Sequence, residues 1–232
     1  MKKVQKIYVV ACQHGDEVFG LKILAHLAER ENPSIKLRIG NLAAVSRRVR
    51  HLESDLNRSY DIELKTKEAG LAQSIIREIK SFGPDLILDL HTSTVDVGKI
   101  AITASEAPLV QKAAAELGLE RIAVMLPHIA DKSLIGQFPE RSLALEFGVH
   151  KRSDKLAQEM AARIESLLGM LVDEADSSSM ELYKVERIVP KREILNVAFS
   201  NFDFNDKLGG YPVLMGEKNY SDYAGFLAKK VR

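Results

Sequence analysis

Two histidines and a glutamate stand just after apolar runs of this chain, and their residue types can bind a catalytic metal. The apolar run 7–12 leads to His14, and Glu17 follows three residues later. A second run, 86–90, leads directly to His91. Two histidines and one glutamate are a ligand set of catalytic zinc, which keeps a fourth position open for water. The spacing therefore predicts that His14, Glu17 and His91 hold one zinc ion per chain.

A further candidate for chemistry is Glu146, which has an apolar neighbour on each side near the end of the strand-like run 142–149. A carboxyl group in apolar surroundings has a raised pKa, which suits a general base near neutral pH. The alternative is a glutamate that faces solvent from an edge strand. Asp89 is a candidate partner for His91, although strand alternation places both side chains on one face.

Parallel strands would bring these residues together, because open α/β sheets bind ligands just outside the carboxyl ends of their strands. Strand patterns are found at residues 6–13, 36–42, 85–90, 99–103, 121–126 and 142–149. Helical spacing of apolar residues is found at 21–28, 68–82, 106–117 and 153–171, the last starting at Ser153. This alternation predicts an α/β fold with a mostly parallel mixed sheet flanked by helices on both faces.

The composition changes after the last predicted helix. Residues 173–179 are polar and small, and short alternating segments at 180–189 and 211–215 follow between Gly, Pro and Asn turns. This pattern is typical of β-strands. We therefore expect a catalytic domain at residues 1–175 and a small β-rich C-terminal domain at residues 176–232.

The connection between the second strand and the second helix, residues 43–66, has no clean periodicity. A connection of this length in a compact domain is more often functional than idle. Its polar candidates are Arg47, Arg48, Arg50, Asn57 and Arg58. A solvated basic loop explains Arg47 and Arg48, whereas the other three belong to a longer pattern.

Charge and motif content exclude several classes of function. The 33 Lys and Arg residues nearly cancel the 32 Asp and Glu residues, so a net charge of +1 gives no reason to expect a nucleic acid or an anionic membrane as partner. The glycine spacing at residues 15–22 does not form a phosphate loop, because its lysine comes one residue late and no Ser or Thr follows. No G-x-G-x-x-G pattern indicates a dinucleotide site.

The chain shows no sign of membrane insertion or export. No apolar run approaches the ~18–20 residues of a membrane span, and the start of the chain lacks the long apolar segment of a signal peptide. The single Cys12 excludes an internal disulfide framework and is predicted to be a small buried residue of the first strand. We expect a mature, cytoplasmic N-terminus and a small-molecule substrate as partner, and leave formation of a homo-oligomer open.

Four segments of the chain form an ordered pattern. They are His14-Gly15-Asp16-Glu17, Arg50 with Asp55-Leu56-Asn57-Arg58, Asp89-Leu90-His91-Thr92 and Leu145-Glu146-Phe147-Gly148. Together they resemble the succinylglutamate desuccinylase/aspartoacylase family, within the zinc carboxypeptidase-like fold. The resemblance implies that His14, Glu17 and His91 hold zinc and that Glu146 is the general base.

The same resemblance implies roles for three residues of the irregular connection. Arg50 would polarise the scissile carbonyl group, and Asn57 with Arg58 would bind the carboxylate of the substrate. A planar guanidinium matches a carboxylate bidentately, which suits Arg58 to an amino-acid substrate. The segment 211–217, followed by Tyr220, is similar to the family's closing segment, in which a tyrosine reaches into the active site.

The chain departs from the family pattern at two places. Family members usually have Asn after the second zinc-binding histidine, whereas Thr92 stands here. The family's aspartoacylases have an additional substrate-binding Arg shortly before the general base, where this chain has Gly136 and Gln137, and Arg141 is too close to replace it. The second departure argues against specificity for a dicarboxylic substrate such as N-acetylaspartate.

The sequence thus predicts a zinc-dependent amidohydrolase that removes the acyl group from an N-acyl amino acid or a related small amide. A zinc carboxypeptidase that acts on short peptides or cell-wall fragments would use the same ion and the same base. A non-catalytic metal- or ligand-binding module would keep the fold but would not need Glu146 as a base. The acyl group, the amino acid and the identity of the metal stay open at this stage.

Overall fold

The computed structural model describes residues 2–60, 65–173 and 180–232. In these residues the strands are β1 (Lys2–Lys3), β2 (Ile7–Ala11), β3 (Ile35–Ile39), β4 (Leu86–Thr92), β5 (Lys99–Thr103), β6 (Arg121–Val124), β7 (Ser142–Phe147), β8 (Leu171–Val172), β9 (Glu181–Pro190), β10 (Tyr211–Val213) and β11 (Tyr223–Lys230). The helices are α1 (Phe19–Ala28), α2 (Leu42–Arg47), α3 (Lys67–Phe82), α4 (Pro108–Glu116), α5 (Pro127–Ala130), α6 (Leu134–Gln137) and α7 (Asp154–Ser166). Short 3-10 helices lie at Leu56–Arg58 and Lys191–Ile194.

Nine of these strands form one mixed sheet, in the order β10-β11-β9-β6-β5-β7-β4-β2-β3. The pairs β3–β2, β2–β4, β4–β7, β5–β6 and β6–β9 are parallel. The pairs β5–β7, β9–β11 and β11–β10 are antiparallel. The two-residue strands β1 and β8 form a separate antiparallel pair. The prediction of a mostly parallel mixed sheet is therefore confirmed.

Helices cover both faces of the sheet, because successive residues of a strand point to opposite sides. In β2, Ile7, Val9 and Ala11 belong to a core that includes residues of α1, α4 and α7. Tyr8 and Val10 belong to a second core, formed with α3. All five side chains are fully buried. A strand between two helical layers is therefore apolar throughout, as the sequence of β2 shows.

Two described parts of the connection between β3 and α3 are helical, which its sequence does not predict. Leu42–Arg47 forms α2, whose N-terminus is capped by the Asn41 side chain, which accepts a hydrogen bond from Ala44 N. A 3-10 helix follows at Leu56–Arg58, and Asp55 caps it. The prediction of an irregular connection was wrong at α2, because six residues are too few to show a helical period.

The helix α7 is shorter than predicted. It begins after Ser153, whose side chain caps the first turn as expected, but it ends at Ser166. Gly169 then adopts a φ of 91°, and its N–H donates a hydrogen bond to Val4 O at 2.8 Å. The chain thus leaves the helix toward its own N-terminal segment, and Leu171 pairs in β8 instead of continuing α7.

The C-terminal strands extend the central sheet. The strand β9 pairs with β6, and β11 and β10 follow outward from it. The β-rich character predicted for this part of the chain is confirmed. The predicted domain boundary falls in residues 174–179, which lie outside the described residues, so the division into 1–175 and 176–232 stays a prediction. Within the described parts of the chain, no helix has both the length and the apolar character needed to cross a membrane.

Candidate active site

A sharp turn after β2 presents His14. Cys12 follows the strand with a φ of 55°, and it is buried as predicted, which raises the pKa of its thiol to about 12. Gly15 N donates a hydrogen bond to Arg50 O at 2.9 Å. A Cβ atom at Gly15 would lie only 2.3 Å from the backbone of Ala44, so this close approach requires glycine. The loop that carries His14 therefore packs directly against α2.

The three predicted metal ligands lie together. Nδ1 of His14 is 2.7 Å from Glu17 Oε1, and Nδ1 of His91 is 2.9 Å from Glu17 Oε2. One ligand atom from each of the three residues lies within 4.8 Å of the other two. All three side chains are buried. We call these residues the ligand cluster.

The second nitrogen of each imidazole faces another carboxylate. Nε2 of His14 is 2.8 Å from Asp55 Oδ1, and Nε2 of His91 is 2.9 Å from Asp89 Oδ2. Carboxylates in this position fix the orientation of metal-binding histidines. Asp89 was a candidate from the sequence, whereas the role of Asp55 was missed. Its signal is the motif itself, in which Asp55 stands two residues before Asn57.

A chain of buried side chains continues behind Asp89. Gln13 Nε2 donates a hydrogen bond to Asp89 Oδ2, and Tyr60 Oη donates to Gln13 Oε1 at 2.9 Å. Gln13, Tyr60 and Asp89 are at most 2% exposed. These contacts restrain the carboxylate that orients His91. The sequence did not indicate them, because they join residues that only tertiary packing brings together.

Carboxylates determine the electrostatics of the ligand cluster. Burial alone would lower the pKa of His14, but Glu17 and Asp55 raise it. Burial would also lower the pKa of His91, but Asp89 and Glu17 hold it well above its ordinary value. Burial would raise the pKa of Glu17, yet the two imidazoles hold it well below its usual range. Two imidazoles and one carboxylate, with a second carboxylate behind each imidazole, form a donor set that fits zinc.

Arg50 lies beside the ligand cluster. Its Nη1 donates a hydrogen bond to Glu17 Oε1 at 2.9 Å, and its Nη2 lies 3.8 Å from Asp55 Oδ2. The buried carboxylate of Glu68 holds the segment that follows Arg50, because it accepts hydrogen bonds from the backbone N–H groups of residues 52–54. The position of Arg50 is therefore set by its own ion pairs and by an ordered backbone.

Asn57 and Arg58 lie in the 3-10 helix. Nδ2 of Asn57 is 3.4 Å from His91 Nε2, and its Oδ1 accepts a hydrogen bond from Leu134 N at 3.3 Å. The Arg58 guanidinium donates to Asn57 O at 2.8 Å. Burial would lower the pKa of Arg58, but Asp55 raises it, so this side chain is a permanent cation beside the cluster.

Glu146 lies in β7 directly opposite His91 in the parallel register with β4. It is partly buried, and burial raises the pKa of its carboxyl group from an ordinary 4.5 to about 8, against the opposing effect of His91. Glu17 and Glu217 add to the increase. Within residues 2–60, 65–173 and 180–232, no group donates a hydrogen bond to the Glu146 carboxyl group. This carboxyl group can therefore exchange a proton.

The segment between β10 and β11 closes the site. Tyr220 stacks on Tyr223 with ring centroids 4.4 Å apart. Glu217 accepts hydrogen bonds from Ser93 Oγ at 2.8 Å and from both the N–H and the hydroxyl of Thr94 at 2.7 Å. These contacts join the segment to the chain just after His91. The sequence motif contains Glu217, but no role for it was predicted.

One cavity joins all of these groups, with a volume of about 690 Å³ including its mouth. Its lining includes every predicted site residue, namely His14, Glu17, Arg50, Asn57, Arg58, His91, Glu146 and Tyr220. Arg47 and Arg48 are exposed on the surface, as expected of a solvated loop. The cavity thus brings the three predicted metal ligands, the carboxyl group of Glu146 and two cations together in one space.

Comparison with known proteins identifies the family. A family model described as the succinylglutamate desuccinylase/aspartoacylase catalytic domain matches residues 3–167. The chain therefore belongs to the succinylglutamate desuccinylase/aspartoacylase family. The resemblance inferred from the four motifs is confirmed.

Curated relatives are similar to part of this chain. It is 34% identical over 122 residues to the aspartoacylase of Xenopus tropicalis, covering 44% of this chain and 38% of that protein. It is 27% identical over 168 residues to a probable aspartoacylase of Trichodesmium erythraeum, covering 64% and 57%. It is 31% identical over 111 residues to an N-acyl-aromatic-L-amino acid amidohydrolase (carboxylate-forming) of Xenopus laevis, covering 41% and 36%. The chain thus spans less than two thirds of the length of each of these relatives.

Solved structures share the fold. The succinylglutamate desuccinylase of Chromobacterium violaceum aligns with a TM-score of 0.77 at 18% identity, over 99% of this chain and 85% of that chain. Murine aminoacylase 3 aligns with a TM-score of 0.75 at 19% identity, over 100% and 97%. At these identities the similarity establishes the fold. The predicted zinc carboxypeptidase-like fold is therefore confirmed.

Proposed function

We propose that this protein is a zinc-dependent hydrolase that cleaves the amide bond of an N-acyl amino acid. The observation that carries the proposal is the convergence of His14, Glu17 and His91 with the carboxyl group of Glu146 in one cavity. Family membership supports the reaction class, because the curated relatives include aspartoacylases and an N-acyl-aromatic-L-amino acid amidohydrolase.

The ligand cluster would hold one zinc ion per chain through the two imidazoles and the Glu17 carboxylate. Asp55 and Asp89 would keep His14 and His91 oriented toward it. When bound, zinc supplies Lewis-acid chemistry, since it polarises a carbonyl group and makes water more acidic. Because a metal-binding imidazole must be neutral, zinc would displace the protons that the neighbouring carboxylates favour on His14 and His91.

Glu146 is the proposed general base. It accepts the proton of the attacking water and later returns that proton to the amine nitrogen, as the C–N bond of the amide breaks. Burial raises the pKa of this carboxyl group to about 8 in the metal-free site, and a bound cation would lower that pKa toward neutral pH, where the group can accept and release a proton. Arg50 would stabilise the negative charge that develops on the carbonyl oxygen.

Substrate binding falls to three further residues of the cavity. Arg58 would pair with the carboxylate of the amino acid, because its guanidinium is partly buried, charged and at the cavity surface. Asn57 would support this contact from the same 3-10 helix. Tyr220 would cover the bound substrate from the closing segment, where its ring is held against Tyr223.

The test combines elemental analysis with a substrate panel. We expect about one zinc per chain, and release of free amino acid from N-acyl amino acids that stops on chelation and returns with added zinc. Preferred cleavage of dipeptides would instead assign a carboxypeptidase. Tight zinc binding without turnover of any compound would assign a non-catalytic binding module and overturn the proposal.

A further inference from the structure

Beside its polar and charged groups, the cavity is lined by a group of apolar side chains that pack together. These side chains come from β5, α6, β7 and β11 and from the residues just after β6 and β10, and they belong to one core cluster. We call this surface the apolar wall; it comprises Ile102, Met125, Ile135, Ala144, Leu214 and Phe226. Ala144 lies two residues before Glu146, so both side chains are on the same face of β7. The apolar wall therefore begins beside the proposed base.

The cations of the cavity are few. Among the described residues that line it, the Lys and Arg side chains are Arg50 and Arg58. Arg50 is paired with Glu17 at 2.9 Å, which leaves Arg58 to receive one substrate carboxylate. Glu146 and Glu217 add negative charge on the remaining surface. The donors nearest Glu217, from Ser93 and Thr94, are already used by that carboxylate.

A second carboxylate on the substrate would therefore meet unfavourable surroundings. Placed against the apolar wall, it would lose its hydration without a compensating hydrogen bond or cation. Placed near Glu217, it would face a like charge in a partly desolvated space. A bulky apolar group would bind favourably in the same place, because burial against the apolar wall removes its surface from water.

We propose that this cavity selects substrates with a single carboxylate and a bulky apolar group, and that it excludes dicarboxylic substrates. This inference rests on the proposed deacylase function and names its substrate class. The apolar group belongs either to the amino-acid side chain or to the acyl group. Both have the same chemistry at the apolar wall, because each would bury apolar surface against it.

The first test measures kcat/KM of the zinc-loaded protein on matched compounds. N-acetyl-L-phenylalanine carries the apolar group on the amino acid, N-benzoylglycine carries it on the acyl group, and N-acetyl-L-aspartate and N-succinyl-L-glutamate are dicarboxylic. We expect the better apolar compound to exceed both dicarboxylic ones by at least about 10²-fold. Faster hydrolysis of a dicarboxylic compound would overturn the inference and leave the deacylase function standing.

Binding to the Glu146→Gln variant, measured by calorimetry with the same compounds, separates the two proposals. If no compound is hydrolysed by the unmodified protein, the proposed function fails. Tighter binding of the apolar compounds would then still support the apolar wall as a selective surface. Equal or tighter binding of the dicarboxylic compounds, or no binding at all, would overturn it.

Two variants test the wall itself. Met125→Arg places a cation in the wall and should lower the ratio of apolar to dicarboxylic kcat/KM by at least about 10-fold. Ile188→Arg adds the same charge at an exposed position of β9, away from the cavity, and should leave the ratio unchanged. Should Met125→Arg fail to fold, Ala144→Leu fills space beside Glu146 and should raise KM for N-acetyl-L-phenylalanine more than for N-acetylglycine. The inference would be contradicted by an unchanged ratio of kcat/KM in Met125→Arg, or by an equal rise in KM for both compounds in Ala144→Leu.

Discussion

The parallel strands β2, β4 and β7 and the antiparallel strands β10 and β11 both reach the cavity, but they supply different chemistry. The carboxyl ends of the parallel strands deliver His14, His91 and Glu146 to one edge of the sheet. The antiparallel strands supply Phe226 and the closing segment with Tyr220. Parallel strands end on the same side, whereas an antiparallel pair ends on opposite sides and reaches the site with one strand face or one connecting loop.

The two regions also differ in how firmly they hold their residues. His91 and Glu146 are neighbours in a buried parallel register, so their backbone positions are fixed by the sheet. The closing segment contacts the chain just after His91 through Glu217, whose carboxylate accepts hydrogen bonds from Ser93 and Thr94. Changes in the parallel region should therefore affect metal binding and chemistry, and changes in the closing segment should affect substrate binding.

The largest effect is expected for Glu17→Ala in the parallel region. Glu17 contacts both imidazoles and Thr92 N. Its loss therefore removes one predicted ligand and also the contact that positions the two histidine side chains. Elemental analysis should show almost no zinc, and kcat/KM should fall by at least about 10³-fold. Asp16→Ala, at the exposed neighbouring position, is the control and should keep its zinc. Full zinc content in the Glu17 variant would contradict the ligand assignment.

Glu146→Gln should separate chemistry from metal binding within the same region. The amide cannot accept the proton of water, so kcat should fall by about 10²–10⁴-fold while zinc content stays unchanged. Steady-state kinetics and elemental analysis on one preparation measure both. Glu140→Gln, an exposed glutamate before the same strand, should have the kcat of the unmodified protein. Undiminished kcat in Glu146→Gln would remove this residue from the mechanism.

Asp89→Asn should weaken the ligand cluster without removing a ligand. The carboxylate that faces His91 Nε2 becomes a neutral amide, and we expect zinc affinity to fall by about 10–100-fold. Competition with a chromogenic chelator measures the affinity. Glu78→Gln changes a partly buried carboxylate that bonds Tyr8 and Arg38 instead, and its zinc affinity should match that of the unmodified protein. The same affinity in Asp89→Asn would mean that Asp89 does not orient His91.

Glu217→Gln should act on the closing segment and leave the zinc in place. Its amide can accept fewer of the hydrogen bonds from Ser93 and Thr94, and a lost bond to a charged group costs about 1.5–3 kcal/mol. We therefore expect KM to rise by about 10-fold, with a smaller change in kcat. If kcat fell while KM stayed constant, Glu217 would act on the chemical step and the contrast between the two regions would fail.

The smallest effect concerns the stability of the metal-free protein. Burial raises the pKa of Glu146 to about 8 in the folded state, above its value in the unfolded chain. Its charge therefore disfavours folding increasingly as the pH rises from 4.5 to about 8. Glu146→Gln should raise the unfolding temperature by several degrees at pH 9, since about 1 kcal/mol corresponds to about 2–4 °C at this size. This increase in unfolding temperature should vanish near pH 4. An equal increase at both pH values would contradict the raised pKa of Glu146.

Much of the site was predictable because its residues stand at strand ends. Buried parallel strands are continuous apolar runs, so β2, β4 and β7 were evident from composition, and the polar residues that follow them were evident as candidates. The short helix α2 and the early end of α7 were not predictable. Six residues carry no readable period, and α7 ends where Gly169 N bonds to Val4 O, a contact between distant parts of the chain.

By itself, the sequence determined the sheet-and-helix class of this protein and the side chains that can do chemistry, because periodicity and residue type are local properties. Only the tertiary structure decided which other residues contact these side chains. Asp55 and Glu217 have no special sequence context outside their motifs, and the apolar wall combines side chains from six separate parts of the chain. Hydrogen bonds and burial between distant residues depend on packing in three dimensions, and for that reason the apolar wall became evident only in the folded chain.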